Sequence, residues 1–272
     1  MSAPDWSGVV EMVRRTYTAR GRRQTALFSI EGLRLAERAV RANAPVAQWV
    51  VSADFAHDTT PRIVALRAAI TATPVTAVPP PIMAQLTNGR TLGSIIGLLP
   101  LPQPHPLATL LAHKIRPLLL VAADIVEPGN VGAMLRTAHA HQADLFIATG
   151  RSDPFHPKAV RNSMGSLFKM PIYQAADTAV LLAELAQLGI ETVGTSGSAA
   201  IRLPDRVWGS GGTAVFMGNE YEGLSADLLG QLDQQIAIPM APGIDSLSVN
   251  AATAVVLYEY RRGEEICVMR DA

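Results

Sequence analysis

"LLLVAADIVEPGNVGAMLRTAHAHQADLFIATG", residues 118–150, decides the fold. Two short apolar runs, 118–125 and 143–150, bracket a segment with helical spacing over 131–141. There Val131, Met134, Leu135 and Ala138 stand at i, i+3, i+4 and i+7, a single core-facing stripe. Pro128-Gly129 turns the chain, and Asn130 is the expected helix N-cap. Strands apolar on both faces that alternate with helices imply a parallel sheet covered on both sides.

The same grammar continues to the end of the chain. Strands are expected at 190–196, 213–220 and 235–240, with helices at 177–188 and near 225–232. Ligands of such sheets bind beyond the C-terminal ends of the strands. The informative loops are therefore 124–130, 195–203, 218–225 and 239–250. Residues 1–105 read as a smaller α/β unit. It has a helix at 31–43, a strand at 46–52, a helix over "RIVALRAAI" (62–70), a short strand "VTAV" (75–78) and a strand at 92–100. Prolines crowd 101–117, so 106–117 reads as a linker between domains 1–105 and 118–272.

Composition narrows the class. Hydrophobic residues make up 49% and charged residues 17%, enough for a sizeable core. No apolar run reaches the eighteen or so residues of a membrane span, and the N-terminus lacks a signal pattern. With one cysteine, Cys267, no internal disulfide forms, and a cytoplasmic protein is expected. Net charge is zero, yet "RRTYTARGRR" (14–23) carries Arg14, Arg15, Arg20, Arg22 and Arg23 without an acid. Such a run reads either as a solvated face or as a phosphate contact, which the arginine fork suits.

Four loops carry chemistry. After Pro128-Gly129, Gly132 and Arg136 share a helix face, leaving a gap for a ligand beside a guanidinium; a merely solvated arginine is the alternative. In "FMGNEYEGLS" (216–225) Gly218 and Gly223 frame Glu220 and Glu222, a backbone cradle with an orienting carboxylate. No His or Cys stands beside them, so no metal is expected. "MAPGIDSLSVNAATAVVLYEYRR" (240–262) passes from an irregular loop, holding Asp245, into an apolar helix that Ser246, Ser248 or Asn250 would cap. "HPKAVRNSMGSLFKMPI" (156–172) places Lys158 and Arg161 one helical turn apart, suited to an anion or an RNA backbone, or simply a surface turn. No glycine-rich phosphate loop and no zinc spacing occur.

Taken together these segments resemble the SpoU/TrmH family of RNA ribose 2′-O-methyltransferases, of the SPOUT superfamily. "EPGNVGAMLRTA", "RNSMGSLFKMP", "FMGNEYEGLS" and "IPMAPGIDSLSVNAATAVVLYE" follow the family's order over roughly 115–262. Residues 20–105, with "FSIEGLRLAERAV", resemble an L30e-like substrate-binding domain. One departure stands out: the family's S-L-N-V-S is here Ser246-Leu247-Ser248-Val249-Asn250, amide and hydroxyl exchanged.

The resemblance implies an α/β protein whose C-terminal parallel-sheet domain is tied in a deep trefoil knot, an exception to ordinary chain connection. It implies S-adenosylmethionine as cofactor, held at Thr195, Gly218, Ile238, Met240 and Leu247. It implies a catalytic set of Asn130, Arg136, Glu220, Ser248 and Asn250, with Arg136 orienting the 2′-OH and stabilising developing oxyanion charge. RNA, ribosomal rather than transfer, would meet the 14–23 arginines, Lys158 and Arg161. A homodimer would form along Ala251, Ala254, Val255 and Tyr258. The competing reading is a non-catalytic RNA-binding or ribosome-assembly protein that kept the fold.

Overall fold

A computed structural model describes residues 6–89, 94–244 and 246–270, with side chains to Gly263. Asp245, the start of the 92–100 strand and the Cys267 side chain lie outside the described residues. The chain divides into two compact units, 1–103 with 155–169, and 104–154 with 170–272.

The N-terminal unit contains α1 (Ser7–Thr16), α2 (Ala19–Thr25), β1 (Leu27–Glu31), α3 (Leu33–Arg41), β2 (Gln48–Ser52), α4 (Pro61–Ala69), β3 (Val75–Val78), α5 (Pro80–Leu86) and β4 (Ile95–Pro100). Its sheet runs β1-β4-β2-β3, with β4 antiparallel to both neighbours and β2 parallel to β3. Val10 and Val13 of α1 bury against Val50, Val78, Met83, Leu86, Ile96 and Leu98. Strand β1 was not expected: its alternation is masked because three successive residues, Phe28, Ser29 and Ile30, are all buried.

The rest of the chain supplies α6 (Leu107–Leu111), β5 (Leu118–Ala123), α7 (Pro128–Ala140), β6 (Leu145–Thr149), α8 (Pro157–Asn162), β7 (Ile172–Gln174), α9 (Thr178–Gln187), β8 (Glu191–Thr195), β9 (Ile201–Arg202), β10 (Thr213–Met217), α10 (Ala226–Leu229), β11 (Gln234–Ala237) and α11 (Val249–Arg270). Helix α8 groups with the N-terminal unit, where it packs on β1. In the C-terminal unit the sheet order is β7-β6-β5-β10-β8-β11-β9, every pairing parallel. Every residue of β5, β6 and β10 is buried, as apolar runs covered on both faces require.

From β5 the sheet grows one way through β6 and β7 and the other way through β10, β8, β11 and β9. The loops that follow β5 and β10 therefore meet, at the kind of switch point where α/β sheets hold ligands. Helices α7 and α11 pack against each other, α11 burying Val249, Thr253, Val256, Leu257 and Tyr260.

Two expectations are corrected. Helix α7 starts at Pro128, and Glu127 rather than Asn130 is its N-cap, Oε1 accepting from the Gly129 N–H at 3.1 Å. Proline at N1 needs no donor and sets the helical φ, so the helix begins before Asn130 and frees that side chain. The expected linker 106–117 contains α6, whose Leu107 and Leu111 are buried; its prolines flank the helix instead of interrupting it.

Candidate functional site

The β10 strand ends in a tight turn. Asn219 and Gly223 exchange backbone hydrogen bonds at 3.1 and 2.9 Å, and the Asn219 side chain accepts from the Tyr221 N–H at 2.8 Å. A Cβ at Gly218 would stand 2.2 Å from the Gly223 carbonyl carbon and 2.3 Å from the Leu224 nitrogen, so the turn closes only around glycine. Gly223 itself sits at φ +70°.

This turn, the end of β8 and the 236–252 segment enclose a cavity of about 330 Å³. All five residues expected to hold a cofactor line it: Thr195, Gly218, Ile238, Met240 and Leu247. Apolar walls also come from Met217, Leu224, Leu229 and Ile236. Walls of this kind with backbone donors and acceptors suit a nucleoside-sized ligand. Ser246 lines the cavity as well.

Glu220 lines the same cavity and leads into a chain of amides. Asn130 Nδ2 donates to Glu220 Oε1 at 2.6 Å, and Asn250 Nδ2 donates to Asn130 Oδ1 at 2.7 Å. The carboxylate fixes the polarity of this chain: it only accepts, so Asn130 must donate to it and in turn accept from Asn250. Among the described residues Glu220 Oε2 and Asn250 Oδ1 are buried without a partner, two acceptors poised for outside donors. Ser248 does different work: its Oγ accepts from the Ala251 N–H at 3.3 Å and caps α11. Arg136 is exposed and makes no hydrogen bond or ion pair among the described residues.

Sequence reading missed a second strand-end arrangement in this unit. Asp124, at φ +57°, accepts from Arg151 Nε at 2.9 Å and from its backbone N–H at 3.0 Å. These hydrogen bonds hold the Asp124 carboxyl below its ordinary range, against the opposing effect of burial. Asn219 Nδ2 reaches the Asp124 carbonyl at 3.4 Å, joining this pair to the β10 turn. The signal available was Gly150, where a Cβ would stand 2.7 Å from Asp124 Oδ1.

The basic residues separate. Arg22 is a correction: it is 3% exposed, and its NH1 donates to the Thr16 carbonyl at 2.7 Å, so it braces the fold and presents no face to RNA. Gly21, within α2, lets that helix pack against the end of α1, a Cβ there standing 2.1 Å from the Arg15 carbonyl oxygen. Arg161 is half-buried and paired with Glu31 at 3.2 Å, so its charge is neutralised locally. Arg15 pairs with Glu11, and Arg14 reaches Gln85 at 3.4 Å. Arg20, Arg23 and Lys158 are exposed.

Residues 117–258 match the SpoU rRNA Methylase family, and residues 10–97 match the MRM3-like substrate binding domain. The chain is 37% identical over 158 residues to the 23S rRNA (guanosine-2′-O-)-methyltransferase RlmB of Pasteurella multocida, a match covering 57% of this chain and 64% of that protein. It is 28% identical over 254 residues to the 23S rRNA (guanosine(2553)-2′-O)-methyltransferase RlmP of Bacillus subtilis, covering 91% of this chain and 94% of that one. The AdoMet-bound rRNA methyltransferase from Sinorhizobium meliloti superposes with a TM-score of 0.80 at 25% identity, over 96% of this chain and 97% of that chain. Several curated relatives are matched over only 52 to 65% of their own length.

Proposed function

The chain belongs to the SpoU rRNA methylase family, and on that premise we propose that it transfers the methyl group of S-adenosylmethionine to a ribose 2′-oxygen of ribosomal RNA. One observation carries this reading. The five residues expected at the cofactor line one cavity, and Glu220 in its wall is joined through Asn130 to Asn250. The names of the RlmB and RlmP relatives point the same way.

Bound in the cavity, S-adenosylmethionine supplies an electrophilic methyl group. The residues around it do the rest. Apolar walls exclude water, and the Gly218 turn brings backbone groups close. The 2′-hydroxyl is a poor nucleophile: its oxygen bonds the methyl carbon as the carbon–sulfur bond of the donor breaks, and its proton passes to bulk solvent. Arg136 is no general base, because a guanidinium only donates hydrogen bonds and has no free acceptor to take a proton. It orients the hydroxyl or the neighbouring phosphate and stabilises the oxyanion as charge develops. Asn250 Oδ1 and Glu220 Oε2 accept hydrogen bonds from donors that RNA or Arg136 brings. Ser248 and Asn250 exchange places relative to the family pattern, yet an amide still reaches Asn130. That continuity favours an enzyme over a fold kept only for RNA binding.

The reading extends to the assembly. The 239–250 segment would belong to a trefoil knot, and Ala251, Val255 and Tyr258, exposed along α11, would meet a second copy about a two-fold axis. Half-buried Ala254 would sit at the edge of that stripe. Arg14, Arg15, Arg20, Arg23 and Lys158 would track RNA phosphates in the cytoplasm. The test is transfer of labelled methyl from S-adenosylmethionine to ribosomal RNA from cells lacking the protein, followed by mapping. Label at one ribose 2′-oxygen is expected; label on a base, or none, would overturn the proposal.

A further inference from the structure

Tyr221 is 87% exposed although it lines the mouth of the cavity. Its backbone is not loose: the Asn219–Gly223 bridge and the Asn219 side chain hold it in place. Its hydroxyl has no hydrogen-bond partner among the described residues. A large aromatic ring presented to solvent by a hydrogen-bonded turn contributes nothing to the core. Leu247, 40% exposed, is a second apolar group lining the same cavity.

We propose that Tyr221 is a stacking platform for an unpaired RNA base at or next to the methylated nucleotide. The inference rests on the function proposed above and adds a substrate-positioning residue to it. A ribose that enters this cavity comes from a nucleotide drawn out of its own stack. The base then needs a replacement surface, and an aromatic face provides one without demanding a particular sequence. The cofactor's adenine is a weaker candidate for this ring. Leu224, Leu229, Ile236, Ile238 and Met240 already provide apolar surface inside the cavity, whereas Tyr221 faces solvent at its mouth.

The experiment is steady-state methyl transfer by the full-length protein, with ribosomal RNA from cells lacking it as substrate. Tyr221→Ala should raise KM for RNA roughly tenfold, as expected on removing one stacking partner. It should leave kcat within about twofold and S-adenosylmethionine affinity by calorimetry unchanged; the exposed position spares the fold. Tyr221→Phe, which keeps the ring and drops the hydroxyl, should restore the wild-type KM. An unchanged KM in Tyr221→Ala overturns the proposal. So does weakened cofactor affinity, which would make the ring a lid over the cofactor. So does a shift in self-association at constant KM, which would assign the ring to a second copy. Inactivity of the wild-type protein would sink the proposed function itself, and this inference with it.

Discussion

In the C-terminal unit the polar side chains of the strand-end loops are tied to one another. In the N-terminal unit the arginines of 14–23 are tied to the fold or, among the described residues, to nothing. Glu220, Asn130 and Asn250 come from three separate segments and share two hydrogen bonds of 2.6 and 2.7 Å, leaving two acceptors open. Arg22 serves the Thr16 carbonyl, Arg15 pairs with Glu11, and Arg23 stays in solvent. The difference teaches that a linked polar group across distant segments marks chemistry. A run of like charges in one segment divides into structural and solvated members.

The largest effect should come from Gly218→Ala. The added methyl meets backbone, not a flexible side chain, so the β10 turn must open. S-adenosylmethionine binding by calorimetry should be lost; normal affinity would mean the turn does not shape the cavity. Next is the amide chain. Asn130→Ala leaves the half-buried Glu220 carboxylate and the Asn250 amide without their partner, so it should cost about 1 kcal/mol in denaturant unfolding and more in transfer rate. Asn250→Ala, which leaves Asn130 bonded to Glu220, should cost less stability. Equal losses would mean that the chain is not ordered from the carboxylate outward.

The N-terminal unit gives a smaller contrast. Arg22→Ala leaves a buried carbonyl without its donor and should destabilise by about 1–3 kcal/mol. Arg23→Ala should not move the melting point, but should lower the salt dependence of RNA binding by about one phosphate contact. If Arg22→Ala proves neutral and Arg23→Ala destabilising, the division drawn above fails. The smallest effect concerns Asp124. Its folded pKa lies below the ordinary 3.8, so its pairing with Arg151 stabilises above that value and is lost as pH falls through the folded pKa. Both side chains are largely exposed, so the contribution is small. Asp124→Asn should cost a small, constant amount of stability above about pH 4, and that cost should vanish at lower pH; a difference that appears only in acid would contradict this.

Much of the fold was legible because β5, β6 and β10 are buried on both faces and read as apolar runs that tolerate no other environment. Strands β7 and β9, of three and two residues, are too short to carry a period. Helix α6 hid among prolines that bound it. The cavity-lining residues were legible because glycines and apolar residues at strand ends recur in the family's order. The partners of Asn130 and Asn250 were not, since they lie 90 and 120 residues away and depend on how the loops meet. Arg22 was misread because its burial depends on the close packing of α2 against the end of α1 at Gly21, which charge patterning does not encode. The exposure of Tyr221 is likewise a property of the folded turn.

The central claim is that the cavity and Arg136 do separable work, one holding the cofactor and the other promoting transfer. The direct measurement is single-turnover methyl transfer to ribosomal RNA by Arg136→Ala at saturating S-adenosylmethionine, with cofactor affinity measured in parallel. The account predicts a rate lower by about a hundredfold or more, as for removal of an oxyanion-stabilising donor, with cofactor affinity unchanged. A wild-type transfer rate would contradict it.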